Sequence, residues 1–335
     1  MSVRGIQLLP VLTLAALPLL GSCASQTPEP RLPQTTAAAE IRGALLAAGL
    51  RPGTIEGPRG ALRYYEGGEG RTVVLLHGSG SQAGDWHGVV PALARRYRVL
   101  ALDLPGHGES GPAEGALPVG DLADSLGALL DARNAGQPAT LIGNSLGGWV
   151  SLLYAWRHPE RVERVIGVSS SGIFAVPQVP LAPKNREEAR RLVAAIRGPH
   201  LAAPSDEELD ALLQRIASGP APRLFAGLRS EDFLETKAAE IRVPVELVWG
   251  EEDGVLPLDY GRRLASLLPR ARLHPLPRCG HMPQVHCPRE LARVLLDLLA
   301  APPTGLSAVG PSPPDPLSHP HSRRPGEGEK RLGHG

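Results

Sequence analysis

Aromatic side chains are scarce: 4 Trp, 5 Tyr and 3 Phe make up 4% of 335 residues. So few rings leave little material for base-stacking platforms. Charge of one sign is not in excess either. Lys plus Arg (35) balance Asp plus Glu (34) to a formal +1, and the local basic surplus that phosphate contacts need is missing, which argues against a nucleic-acid partner. No long apolar run survives uninterrupted. Residues 6–20 come nearest, but Pro10 and Pro18 break them, making a poor membrane span. Glycine (39) and proline (35) are plentiful, just under the level that marks low complexity throughout. The chain therefore reads as globular with loop-rich ends, long enough for one large domain or two small ones.

Both ends fall outside the expected fold. Arg4 followed by the broken apolar run has signal-peptide dimensions over residues 1–22. Leu20-Gly21-Ser22-Cys23 resembles the lipobox of bacterial lipoproteins, which implies export and a lipid on Cys23 as the mature N-terminus; an ordinary signal peptide cleaved near Ala24 is the alternative. Residues 23–55 are then a lipidated N-terminus and tether with a short helix. Residues 301–335, rich in Pro and Gly, read as a disordered tail in which His319, His321 and His334 are solvated rather than metal-bound.

Between the ends, short apolar runs alternate with amphipathic stretches. Strands are expected at 72–76, 97–102, 139–142, 162–168, 243–249 and 271–275. Helices are expected near 86–95 and at 121–132, 146–157, 259–268 and 288–299. Such alternation predicts an α/β fold with a mostly parallel sheet covered by helices on both faces, and ligand-carrying residues in loops at the carboxyl ends of the strands. From 172 to 242 the alternation stops. Asn185 with Glu188, and Ser205 with Glu208, are spaced as helix-starting caps. This segment reads as a helical cap that divides the core into 56–171 and 243–300.

The chemistry gathers in three loops. Gly143-Asn144-Ser145-Leu146-Gly147 follows a strand and opens a helix, the G-x-S-x-G nucleophile elbow in its proper context. A serine hydroxyl is a weak nucleophile at its own pKa and needs a base, and the base needs an orienting group. His281, between the last strand and last helix, and Asp253, just past the preceding strand, supply both in the order Ser, Asp, His. Glu251 and Glu252 compete with Asp253 but read as solvated flanks. His77, His107 and His158 are weaker candidates for the base. The third loop, Leu76-His77-Gly78-Ser79-Gly80, is expected to form an oxyanion hole from the backbone N–H groups of Ser79 and Leu146.

With these loops, and with Asp103-Leu104-Pro105-Gly106-His107-Gly108 and Trp156-Arg157-His158-Pro159-Glu160-Arg161, the chain resembles the α/β-hydrolase family over about 61–299. The resemblance implies that fold, with the cap inserted before the seventh strand, and a serine esterase or lipase requiring no cofactor or metal. Serine at 145, where haloalkane dehalogenases and epoxide hydrolases have Asp, points to acyl transfer. Ser171-Gly172-Ile173 and the compact cap look like the monoacylglycerol lipase and esterase branch, with medium acyl esters as substrates. Asn144 and His77-Gly78-Ser79-Gly80 also resemble the meta-cleavage-product hydrolases, which cleave carbon–carbon bonds, although Met282 stands where those have Trp. A binding lipoprotein without catalysis is the remaining reading. Cys279 and Cys287 read as buried thiols, with a disulfide as the alternative.

Overall fold

A computed structural model describes residues 36–112 and 114–302. The expected signal peptide, Cys23, the expected tether up to 35 and the expected tail from 303 lie outside the described residues. In chain order the elements are α1 (Thr36–Ala47), β1 (Arg51–Gly57), β2 (Gly60–Gly67), β3 (Thr72–Leu76), α2 (Val90–Leu93), β4 (Arg98–Leu102), α3 (Val119–Asn134), β5 (Ala139–Asn144), α4 (Leu146–Arg157) and β6 (Val162–Val168). Then follow α5 (Arg186–Arg197), α6 (Asp206–Ser218), α7 (Ala221–Gly227), β7 (Val245–Gly250), α8 (Leu258–Leu267), β8 (Ala271–Leu276), α9 (Pro283–His286) and α10 (Pro288–Ala300).

The eight strands form one sheet in the order β1-β2-β4-β3-β5-β6-β7-β8. β1 and β2 pair antiparallel, as do β2 and β4, and every other pairing is parallel. This is the architecture that the family resemblance implies. In β3, β5 and β7 every residue is buried, because helices cover both faces and neither side of a strand needs polar residues. Alternate residues serve opposite layers. Val74, Leu76, Leu141 and Leu247 pack with the leucines of α3 and α4 on one face. Val73, Leu75, Ile142 and Val248 pack with Leu45, Trp86, Leu93, Leu291 and Leu295 on the other.

Two expectations need correction here. The sheet begins at Arg51, so the division between tether and core at 55/56 cuts through β1. That strand reads RPGTIEG, mostly exposed and half-exposed by turns; as an edge strand it has no buried face to impose an apolar alternation. The helix expected near 86–95 is instead a 3-10 turn at Ala83–Trp86 followed by the four-residue α2.

The cap lies between β6 and β7, and both of its sequence-marked helices start where their caps indicate. Asn185 accepts the Glu188 N–H at the start of α5. Ser205 and Glu208 form a reciprocal capping box at the start of α6. A third helix, α7, carries a proline in its first turn, where the missing N–H costs nothing. At the other end of the fold, Arg164 on β6, almost wholly buried, donates to the carbonyls of Leu298 and Ala301, and Arg71 donates to that of Leu299. These guanidinium groups satisfy the carbonyls that the end of α10 leaves without partners.

Candidate active site

Ser145 is the single half-exposed residue in a buried run from 139 to 155. Its backbone lies at φ 50°, ψ −112°, a region that an unbranched L residue enters only when the surroundings force it. The force is visible: the Ser145 N–H donates to Val168 O at 3.0 Å, while its carbonyl accepts from Gly148, Trp149 and Ser171. A Cβ on Gly147 would sit 2.3 Å from Leu76 O, so only glycine lets α4 start this close to the end of β3.

His281 and Asp253 meet directly. His281 Nδ1 donates to Asp253 Oδ2 at 2.8 Å, and the Asp253 side chain is completely buried. Its other oxygen accepts the Val255 and Leu256 N–H groups at 2.9 and 2.8 Å. A carboxylate so held fixes the imidazole tautomer, leaving Nε2 as the acceptor. Ser145 and His281 are not joined by a hydrogen bond; their loops meet through Asn144. The Asn144 amide donates to Val168 O at 3.1 Å and to His281 O at 3.0 Å, and its oxygen accepts from the buried Gln284 at 3.0 Å. The sequence motif marked Asn144 only as a neighbour of the nucleophile. Gln284 carried no signal, because its value comes from a partner 140 positions away.

The glycine loop lies against the elbow. A Cβ on Gly78 would come within 3.0 Å of Asn144 Oδ1 and 3.4 Å of Ser145 Cβ. His77 braces this loop: its Nε2 accepts the Leu104 N–H at 3.0 Å, so the proton sits on Nδ1 and is donated to Gly78 O at 2.8 Å. Burial pushes its pKa down to about 3 and that of neighbouring His107 to about 4. Both rings are neutral. Burial raises Asp103 to about 6, although it accepts the N–H groups of Ala83 and Glu109. The N–H groups of Ser79 and Leu146 have no acceptor among the described residues, and Leu146 opens α4, whose dipole adds positive potential there.

The cap reaches the same loops through its backbone. His281 N–H donates to Ile196 O at 2.8 Å, and Gly254 N–H to Ala195 O at 2.9 Å. Both acceptors lie in the last turn of α5. The expectation of free cysteines is overturned, since Cys279 and Cys287 form a disulfide with their Cα atoms 6.1 Å apart. Sequence spacing could not settle this, because the intervening residues must fold back as α9 before the pair comes within reach. Among the described residues no group of three or more His, Cys, Asp or Glu is arranged to hold a metal ion.

Residues 73–294 match the alpha/beta hydrolase family. The chain belongs to that family. Among curated relatives, pimeloyl-(acyl-carrier protein) methyl ester esterase of Aeromonas hydrophila is 32% identical over 252 residues, covering 68% of this chain and 95% of its own. The 2-hydroxymuconate semialdehyde hydrolase of a Pseudomonas species is 32% identical over 287 residues, covering 78% and 94%. Among solved structures, a membrane phospholipase A described as a bacterial virulence factor superposes with a TM-score of 0.69 at 29% identity, covering 79% of this chain and 90% of that one. Hydrolase chemistry follows from this membership.

Proposed function

We propose that the protein is a serine hydrolase that cleaves carboxylic esters through an acyl-enzyme on Ser145. One observation carries the reading: the strained, half-exposed Ser145 stands beside a loop whose imidazole is already bonded at Nδ1 to the buried Asp253. His281 Nε2 takes the Ser145 proton as Oγ attacks the ester carbonyl. Asp253 holds the imidazolium that results. The carbonyl oxygen, now negative, is received by the Ser79 and Leu146 N–H groups, and one such donor contributes about 2.7–4 kcal/mol to lowering the barrier. His281 returns the proton to the departing alkoxide, and water then hydrolyses the acyl-enzyme by the same route reversed. The apolar residues of the cap helices, Leu192, Ile196, Leu209, Leu212, Leu213 and Ile216, support medium acyl chains.

A fluorophosphonate probe tests the assignment. Wild type is expected to be labelled once, at Ser145, and Ser145→Ala to lose both labelling and ester hydrolysis by a factor on the order of 10⁴ or more. A folded protein that the probe ignores sinks the reading.

Carbon–carbon bond hydrolysis is the second reading. It is favoured by the 32% identity to 2-hydroxymuconate semialdehyde hydrolase and opposed by Met282 after His281. Rates on p-nitrophenyl esters of graded chain length, set against a dienone substrate, separate the two.

We further propose export and anchoring through a lipid on Cys23. The lipobox-like Leu20-Gly21-Ser22-Cys23 supports this, and the Cys279–Cys287 bridge suits an oxidising compartment. Labelled palmitate is expected in wild type and not in Cys23→Ser.

A further inference from the structure

We propose that the Cys279–Cys287 disulfide is a positioning device for His281, so that turnover depends on its oxidised state; the inference rests on the proposed role of Ser145 and His281. The bridge closes a segment of only eight steps. A loop that short gains less from chain entropy than a long one does, and the constraint falls on the segment it encloses. Asp253, Asn144 and Ile196 meet His281 from outside that ring, and the ring fixes the segment that presents it to them. His281 itself follows Cys279 by two residues, and Gln284, which donates to Asn144, lies between the cysteines. At one end the Cys279 carbonyl accepts the Glu252 N–H at 2.9 Å, fastening the ring to the loop of Asp253. At the other end Cys287 is the residue from which α10 starts, and α10 is anchored through Leu291 and Leu295 in the core. The disulfide thus joins the acid loop to a helix of the core, with the base held between them. The residue before Cys279 is Arg278, at φ 56°, a left-handed conformation that a non-glycine side chain holds only under constraint.

Reduction by a dithiol transfers two electrons and two protons to the bridge, yielding two thiols and a cyclic disulfide of the reductant. The sulfurs are then free to separate. The base loop keeps its main-chain bonds to Asn144 and Ile196 but loses the cross-link from Cys279 to the start of α10. A displacement of His281 by about 1 Å is enough to cost roughly a hundredfold in rate.

The experiment uses the full chain purified without reductant. It is treated with dithiothreitol, a portion is trapped with iodoacetamide, and the mass shift counts the thiols freed. Hydrolysis of p-nitrophenyl butyrate is expected to lose at least about tenfold in kcat, with KM changed by less than about twofold. Fluorophosphonate labelling at Ser145 should slow in parallel while far-ultraviolet circular dichroism stays native. Oxidised glutathione added before alkylation should restore the rate. Cys279→Ser/Cys287→Ser should reproduce the reduced rate and ignore dithiothreitol; if that variant fails to fold, the reduced and alkylated wild type decides, and if the bridge resists reduction in the folded protein, the variant decides. The proposal is overturned by free thiols at Cys279 and Cys287 in the untreated protein, by a reduced enzyme within about twofold of the original kcat, or by activity lost only in step with the dichroism signal, as a general staple would give. Untreated protein that neither hydrolyses the ester nor takes the probe removes the Ser145 assignment itself. Active, Ser145-dependent enzyme indifferent to reduction removes the role of the bridge alone.

Discussion

Asp253→Asn keeps the shape of the acid but offers His281 Nδ1 the wrong partner, and kcat is expected to fall by a factor on the order of 10⁴ with little change in KM; steady-state kinetics checks it. Gly147→Ala acts differently. Its new methyl meets Leu76 O at 2.3 Å, so loss of stability by roughly 3 kcal/mol or more is expected in urea unfolding, together with loss of activity. Burial of titratable groups also sets a pH dependence. His77 and His107, at about 3 and 4 when folded, take up protons near pH 6.5 once unfolded. The unfolded chain therefore binds more protons below 6.5, and each ring removes about 1.4 kcal/mol of stability per pH unit as the pH falls toward its folded value. Asp103 works in the opposite sense. Raised to about 6, it is protonated in the folded state first and returns a similar amount between about 6 and 4. Two rings against one carboxyl leave these three groups with a net fall of about 1.4 kcal/mol per unit in that window. Urea midpoints at pH 6.5, 5.5 and 4.5 should decline accordingly, and a flat or rising series contradicts this account.

Helices and strands were legible in proportion to how local their causes are. The two cap helices announce their starts because a capping side chain and its target N–H lie three residues apart. Ser205→Ala is expected to cost about 1 kcal/mol of stability, measured by thermal unfolding. The fully buried β3 and β5 declare themselves by the short apolar runs Val73-Val74-Leu75-Leu76 and Leu141-Ile142. β1 does not, since Pro52 and Gly53 stand in it and its register against β2 is fixed by a partner strand. The end of α10 falls within one residue of the expectation, but the partners of its carbonyls are illegible for the same reason: they come from Arg164 and Arg71, more than 130 positions earlier. Arg164→Ala strips two charged hydrogen bonds from part-buried carbonyls, and a loss of about 1.5–3 kcal/mol is expected in denaturant unfolding. In the candidate site, spacing and order single out Ser145, Asp253 and His281. Asn144, Gln284 and the Ile196 carbonyl could not be given their roles, because what they do exists only once distant loops meet.

The whole site is assembled from segments near 78, 144, 196, 253 and 281, and no shorter stretch of chain holds it. The family resemblance covers the core well because the sheet forces these loops to one end of the strands. The cap is a different case, since helices laid over a site are constrained mainly by what lies beneath them. Here the constraint is unusual in kind: α5 grips the two loops through the carbonyls of Ala195 and Ile196. Peptide oxygens are present whatever residue carries them. The outward side of that helix is accordingly free to drift, and exposed Arg190 and Arg191 should tolerate replacement by Gln with kcat held within about twofold. A roof fastened by its main chain can change its tiles without shifting the beams, which gives such a protein a route to new substrates that leaves its working parts in register.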